Sequence, residues 1–237
     1  MRRGQSHVVG VAVLLGVTVV ALGGLTVAVG GLMESQAASA DARRVADDMA
    51  AQLEPVSTTG HRRGRIHLGS GRLRTVERQV RLYRNGSLVR SLAAGGLVYR
   101  TADRRVAFVG SAIVRGSGDA SWAVREPPIL AGGDPPMLVA GVARLEGEDV
   151  AVGGSGGSVV LAQSVSHRRV ALGRGTFELA VETRATGALA EAFRAQGATV
   201  NRRDVDGDGV PSVVASYPGR RRGFLVVHTV GLEVGHG

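Results

Sequence analysis

Cysteine is absent from the 237 residues. Disulfides, thiolate metal centres and cysteine nucleophiles are excluded together. A domain exported without disulfides is held by packing, by a metal or by neighbours in an assembly. Lysine is absent as well, so all 29 basic residues are arginine. That removes a phosphate-loop lysine, a Schiff base and a lysine general base. Aromatic residues make up only 3%, which predicts a core of Val, Leu and Ala and little surface on which nucleobases stack.

What is plentiful is glycine, 36 residues with no triplet period. Collagen is thereby excluded, and glycine at this density predicts many turns between short strands. The formal net charge is +9. An excess made wholly of arginine fits either GC-rich coding or guanidinium contacts with phosphate, carboxylate or anionic lipid.

Val8 to Met33 is uncharged. These roughly 26 residues reach ~39 Å as a helix, more than the ~30 Å of hydrocarbon in a bilayer. With only Thr18 and Thr26 as polar residues, the segment has no polar face and predicts a transmembrane helix over about 8–33. Gly16, Gly23 and Gly30 recur every seven residues, with Gly24 and Gly31 one position later. Nearly two turns apart, they share one side of the helix and leave a groove that suits helix packing in lipid; glycine is also simply common in such helices. Ala38-Ser39-Ala40 has the form of a signal-peptidase site, but a secretory apolar region runs only about 7–15 residues. Arg2 and Arg3 at one end and Arg43 and Arg44 at the other nearly balance the positive-inside count. The short tail and the large polar remainder place residues 1–7 in the cytoplasm and the rest outside.

Beyond Met33, Ala38, Ala42, Val45, Met49 and Leu53 step at helical spacing, with Asp41, Arg43, Arg44, Asp47 and Asp48 on the other side. Nothing between Met33 and Glu34 breaks a helix, and Pro55 supplies the stop. One helix is therefore expected over 5–54, apolar in its first half and amphipathic in its second. A plain anchor has no use for a seam beyond the lipid.

The Arg-Arg-Gly-Gln-Ser run at 2–6, followed directly by an uninterrupted Val/Gly/Leu helix, resembles the class III signal of archaeal type IV pilins and archaellins. It is similar in particular to haloarchaeal pilin-like proteins that begin R-G-Q-S-x-x-x-G. The resemblance covers about the first 35 residues. It implies a leader of residues 1–4, cut by a prepilin-type peptidase between Gly4 and Gln5, and assembly with other pilin-like subunits through the helix. Two features depart from the pattern. Bacterial-type pilins carry a glutamate five residues into the mature chain, where Val9 stands here. Haloarchaeal surface proteins are usually acidic, whereas this chain stays basic after loss of Arg2 and Arg3.

From residue 55 to 237 the texture changes to short alternating runs. Strands are expected at Val80–Tyr83, Leu88–Leu92, Leu97–Thr101, Val106–Val114, Met137–Leu145, Ser158–Val165, Thr176–Thr183, Ser212–Tyr217 and Phe224–Val234, with a turn at 102–105 and one helix near Gly187–Gln196. The Pro/Gly-rich stretch 125–137 reads as a connector. The fold class expected is α+β: a long N-terminal helix followed by a sandwich-like, mainly β extracellular domain with one short helix.

The strongest local motif is Asp204-Val205-Asp206-Gly207-Asp208-Gly209. Carboxylates at the first, third and fifth positions with glycine at the sixth match the first half of a calcium loop. Ala215 stands where a bidentate glutamate closes the shell, while Ser212, ninth, is a possible ligand. The alternatives are a structural calcium on Asp204, Asp206 and Asp208, or an Asp/Gly turn facing Arg202 and Arg203. No other cofactor is expected. Asn85-Gly86-Ser87 is both a glycosylation sequon and a two-residue hairpin turn. Gly153–Gly157 satisfies G-x-S-x-G around Ser155, but a nucleophile elbow needs a strand before it and a helix after it, and the flanks both read as strands. The six histidines show no zinc spacing. Arginines at 62–65, 168–169, 202–203 and 220–222 are solvated faces or polyanion contacts. The expected protein is a membrane-anchored, pilin-like surface subunit, structural or adhesive, and not an enzyme. The alternative is an uncleaved single-pass envelope protein whose basic domain binds DNA or acidic surface polymers.

Overall fold

A computed structural model describes residues 4–53, 59–147, 149–154 and 156–236. Residues 1–3 of the expected leader, the stop at Pro55 and Ser155 lie outside the described residues. The α+β architecture is observed as expected. Helix α1, Gly4–Gln52, runs through 49 residues without a break, about 74 Å at ~1.5 Å per residue. It is the one helix long and apolar enough to cross a membrane among the described residues. Its large apolar side chains at 13–25 and 29–33 are exposed, whereas Ala38, Ala42, Val45, Ala46, Met49 and Leu53 are buried. The seam expected beyond the lipid is the helix's contact with its own β domain.

The strands follow as β1 (Gly60–Leu68), β2 (Arg72–Val76), β3 (Gln79–Arg84), β4 (Ser87–Ala93), β5 (Gly96–Thr101), β6 (Arg104–Val109), β7 (Ala112–Ser117) and β8 (Ala120–Arg125). Then come β9 (Ile129–Gly132), β10 (Met137–Gly147), β11 (Ala151–Gly153) and β12 (Gly157–Glu182), helix α2 (Thr186–Ala195), β13 (Thr199–Arg203) and β14 (Ser212–His236). One sheet has six strands in the order β11-β2-β5-β6-β7-β8. The other has eight, in the order β4-β3-β12-β14-β10-β9, with β1 also on β12 and β13 also on β14. Strands β10 and β14 pair in parallel. The connector 125–137 carries the chain from the smaller sheet into the larger and contains β9, which pairs with β10.

The smaller sheet is buried on both faces. Val98, Ala107, Val109, Ala112 and Val114 pack into one cluster with α2 and the larger sheet. Leu97, Tyr99, Val106, Phe108 and Ile113 face the other way, into a cluster with α1. A strand covered on both sides reads as a continuous apolar run instead of an alternating one, which is why Val106–Val114 looks like a single strand. It is two, β6 and β7, reversed at Gly110 and Ser111, whose φ values are +55° and +75°. Likewise the turn expected at 102–105 is shorter, because Arg104 and Arg105 already belong to β6.

The reverse error occurs in the larger sheet. The two strands expected at 158–165 and 176–183 are one strand of 26 residues, and those at 212–217 and 224–234 are one of 25. They pair with each other along most of their length, interrupted by irregularities at Ala171/Gly173 and Gly175/Phe177. Such bulges bend a strand without ending it. The first arm of β12 is flanked by β1 and the last by β3, so two long strands tie the sheet's two lobes together.

Candidate functional site

The outer half of α1 is fastened by polar contacts as well as by its apolar stripe. From the apolar run outwards, Arg104 Nη2 donates to Ser35 Oγ at 3.3 Å and Arg115 Nη2 to the Ser39 carbonyl at 3.4 Å. Asp41 accepts the Gly69 N–H at 2.9 Å and the Tyr99 hydroxyl. Asp48 accepts the His67 N–H at 2.9 Å and lies 3.0 Å from its Nδ1. Gln163 Nε2 donates to the Gln52 carbonyl at 2.9 Å. Burial, and then the bond to Asp41, push the Tyr99 hydroxyl up to about 12, so it remains a donor across the physiological range. Asp41 and Asp48, set opposite the apolar stripe by the sequence pattern, are therefore fixing points for the β domain.

Gly4 and Gln5 are the first residues of α1. On Gly16, Gly23 and Gly30 an added Cβ meets nothing within 4 Å, so none of the described residues fills the groove beside them.

The arginine clusters at 168–169 and 220–222, far apart in sequence, lie on the same β12–β14 ribbon, about five residues apart along it. Arg168 and Arg169 pair with Val227 and Val226, and Arg174 pairs directly with Arg222. Arg169 lies 4.1 Å from the centre of the Phe224 ring. The ribbon also brings His167 and His228 together, with their Nδ1 atoms 2.8 Å apart. Burial, and then the neighbouring His167, hold His228 below its ordinary value. This part of β12 follows Gln163, which touches the last turn of α1, so it continues from the end of the helix farthest from the apolar run.

In the hairpin between β3 and β4, Asn85 and Gly86 take φ values of +51° and +79°, as a tight turn of this kind requires. Asn85 Oδ1 accepts the Thr176 N–H at 3.0 Å, so the sequon asparagine also fastens the bulged part of β12. The residues around Ser155 lead from β11 to β12, strand to strand.

The acidic loop joins β13 to β14. Asp204 accepts the N–H groups of Gly207 at 2.8 Å and Gly209 at 2.9 Å. Those bonds hold its carboxyl below the usual range. Asp204, first of the three aspartates of the motif, thus shapes the loop, and the oxygens that cluster are those of Asp206 and Asp208. Their neighbour is Glu182, at the end of β12: one oxygen from each of Glu182, Asp206 and Asp208 lies within 4.8 Å of the others. Asp206 also pairs with Arg81 at 2.5 Å. Arg202 reaches Asp119, on the β7–β8 turn, instead of facing the loop. Burial raises Glu182, partly offset by the Gln79 N–H. The sequence motif pointed to the loop but not to Glu182, which lies a whole helix and strand earlier.

These features define a class: a protein whose single long helix carries an apolar span and then enters the core of a two-sheet domain. The chain belongs to a family of unknown function, DUF7289, which matches residues 3–233. Span and β domain are therefore one family unit. No curated protein and no solved structure matches the chain.

Proposed function

We propose that this is a pilin-like, membrane-anchored surface subunit, structural or adhesive, with the β domain outside the cell. A prepilin-type peptidase releases it by cutting between Gly4 and Gln5, and the mature helix then packs against other pilin-like subunits. The observation that carries this reading is the unbroken helix Gly4–Gln52, whose outer half is locked into the β domain. Such a helix joins span and domain into one stiff body, as a subunit that transmits load requires. The glycines at 16, 23 and 30, with nothing against them, leave a surface on which a second helix can lie close. N-terminal mass analysis of the membrane-extracted protein tests the reading. A mature chain beginning at Gln5 is expected, and Gly4→Trp is expected to retain the leader. An intact Met1 in the wild type, or a start at Asp41, contradicts it.

A second reading rests on the arginine ribbon. With Arg168, Arg169, Arg174 and Arg220–Arg222 on two paired strands, the ribbon that continues past the last turn of α1 carries six arginines. Such a ribbon fits a polymer of phosphates or carboxylates. Retention of the full chain on a heparin or DNA column is then expected to fall steeply with salt. Changing Arg220, Arg221 and Arg222 to Gln removes three charges and is expected to shift elution to markedly lower salt. Unchanged elution excludes the ribbon as the contact.

A further inference from the structure

We infer that Glu182, Asp206, Asp208 and Ser212 form a calcium site that closes the loop between β13 and β14 onto the sheet. Residues directly opposite in an antiparallel pair share a face, and Glu182 stands opposite Ser212. The next pair, Thr183 and Pro211, is the hydrogen-bonded one, with the Thr183 N–H donating to the Pro211 carbonyl at 2.9 Å. Glu182 and Ser212 therefore form the closer, non-hydrogen-bonded type of pair, in which side chains approach most nearly. Ser212 has no exposed surface, and its Oγ has no hydrogen-bond partner. A buried hydroxyl without a partner is costly, and this one is opposite Glu182, the strand residue at which the three carboxylates gather.

The loop lies over that same face. Arg81, opposite Ala180 on β3, is on the Glu182 side of the sheet and reaches up to Asp206. Oxygens within 4.8 Å of one another match the span of two calcium–oxygen bonds of ~2.4 Å. Two cations are already present. Arg78 lies 3.4 Å from Glu182 and Arg81 lies 2.5 Å from Asp206, each on one carboxylate oxygen. Among the described residues Asp208 makes no ion pair, and its Oδ1 accepts the Val210 N–H at 2.8 Å. Three carboxylates thus carry two ion pairs between them. A carboxylate also has about four lone-pair directions, so the arginines leave room for a metal. The missing piece of the sequence motif is supplied from elsewhere in the fold: Glu182 takes the part that Ala215 cannot, and Ala215 points into the core. A bidentate-capable glutamate and a hydroxyl from two strand ends, with two aspartates from the loop, suit calcium better than magnesium, which demands near-ideal octahedral geometry.

The test is thermal unfolding and calorimetric titration of the full chain in detergent, with calcium chloride, magnesium chloride or EDTA alone. Calcium at a hundredfold excess over its Kd is expected to raise Tm by roughly 5–10 °C, with magnesium giving a much smaller rise. Asp208→Asn keeps the acceptor for the Val210 N–H, so its Tm in EDTA is expected to match the wild type, while calcium affinity falls at least tenfold. Glu182→Gln is expected to lose the calcium response, and Ser212→Ala to weaken it several-fold. Equal wild-type Tm in calcium and EDTA overturns the site. So does a calcium response that survives both Asp208→Asn and Glu182→Gln, and an equal response to magnesium overturns the assignment to calcium.

Discussion

Val45→Asp is expected to free the outer half of α1 from the β domain and to remove most of the protein's stability. Val45 has no exposed surface and sits in the cluster that includes Ile66, Leu97 and Phe108. A carboxylate there loses its water and gains no partner. Asp41 and Asp48, set apart from the apolar stripe by the sequence pattern but held against the β domain in the structure, lie one turn before and after and add like charge. Together these effects amount to about 4–5 kcal/mol, against a total of roughly 5–15 kcal/mol for a domain. Val45→Ala, which only removes methyl groups, is expected to cost about 2 kcal/mol. Thermal unfolding of the detergent-solubilised variants, followed by limited proteolysis between residues 34 and 59, separates the two. A Val45→Asp protein that melts with the wild type contradicts the docking of the helix.

The sequence disclosed most about this helix because its evidence is local. An apolar run without charge and a stripe at 38, 42, 45, 49 and 53 need only neighbouring residues to be recognised, and the stripe is buried as spaced. Strand limits were harder for a physical reason. Gly173-Arg174-Gly175 and Pro218-Gly219 carry the composition of turns, yet they sit within β12 and β14: the first pairs with Arg221–Gly223, and the second falls at the irregularity between Gly175 and Phe177. Conversely, Gly110-Ser111 lies in an apolar run that hides a true reversal. The acidic loop shows the same division. Asp204, Asp206 and Asp208 were legible by spacing, and the inward bonds of Asp204 follow from its place beside two glycines in the left-handed region. Glu182, Arg81 and Ser212 join them only through the register of three strands. No spacing rule along the chain contains that register. The pairing of Arg174 with Arg222 was hidden in the same way.

A chain beginning at Glu34 is expected to be soluble, monomeric and folded, with a Tm within a few degrees of the full protein. One beginning at Thr59 is expected to aggregate. Removing residues 1–33 takes away large apolar side chains that are exposed wherever described and leaves the contacts at Ser35, Asp41, Asp48 and Gln52 in place. Removing the outer half as well strips one of the two layers covering the smaller sheet. Leu73, Leu97, Phe108 and Ile113 then lose Val45, Ala46 and Met49, and Tyr99 loses the Asp41 carboxylate that accepts its hydroxyl. An apolar face of that extent does not stay monomeric in water. Size-exclusion chromatography and thermal unfolding of the two shortened chains decide the matter. A folded monomer from Thr59 onward would make the outer helix a passenger, dispensable to the domain. If the Thr59 chain aggregates while the Glu34 chain stands alone, the helix is at once the domain's core element and its only link to the apolar span. Force applied through that span would then pass directly into the smaller sheet, with no hinge between Val13 and Gln52 to absorb it.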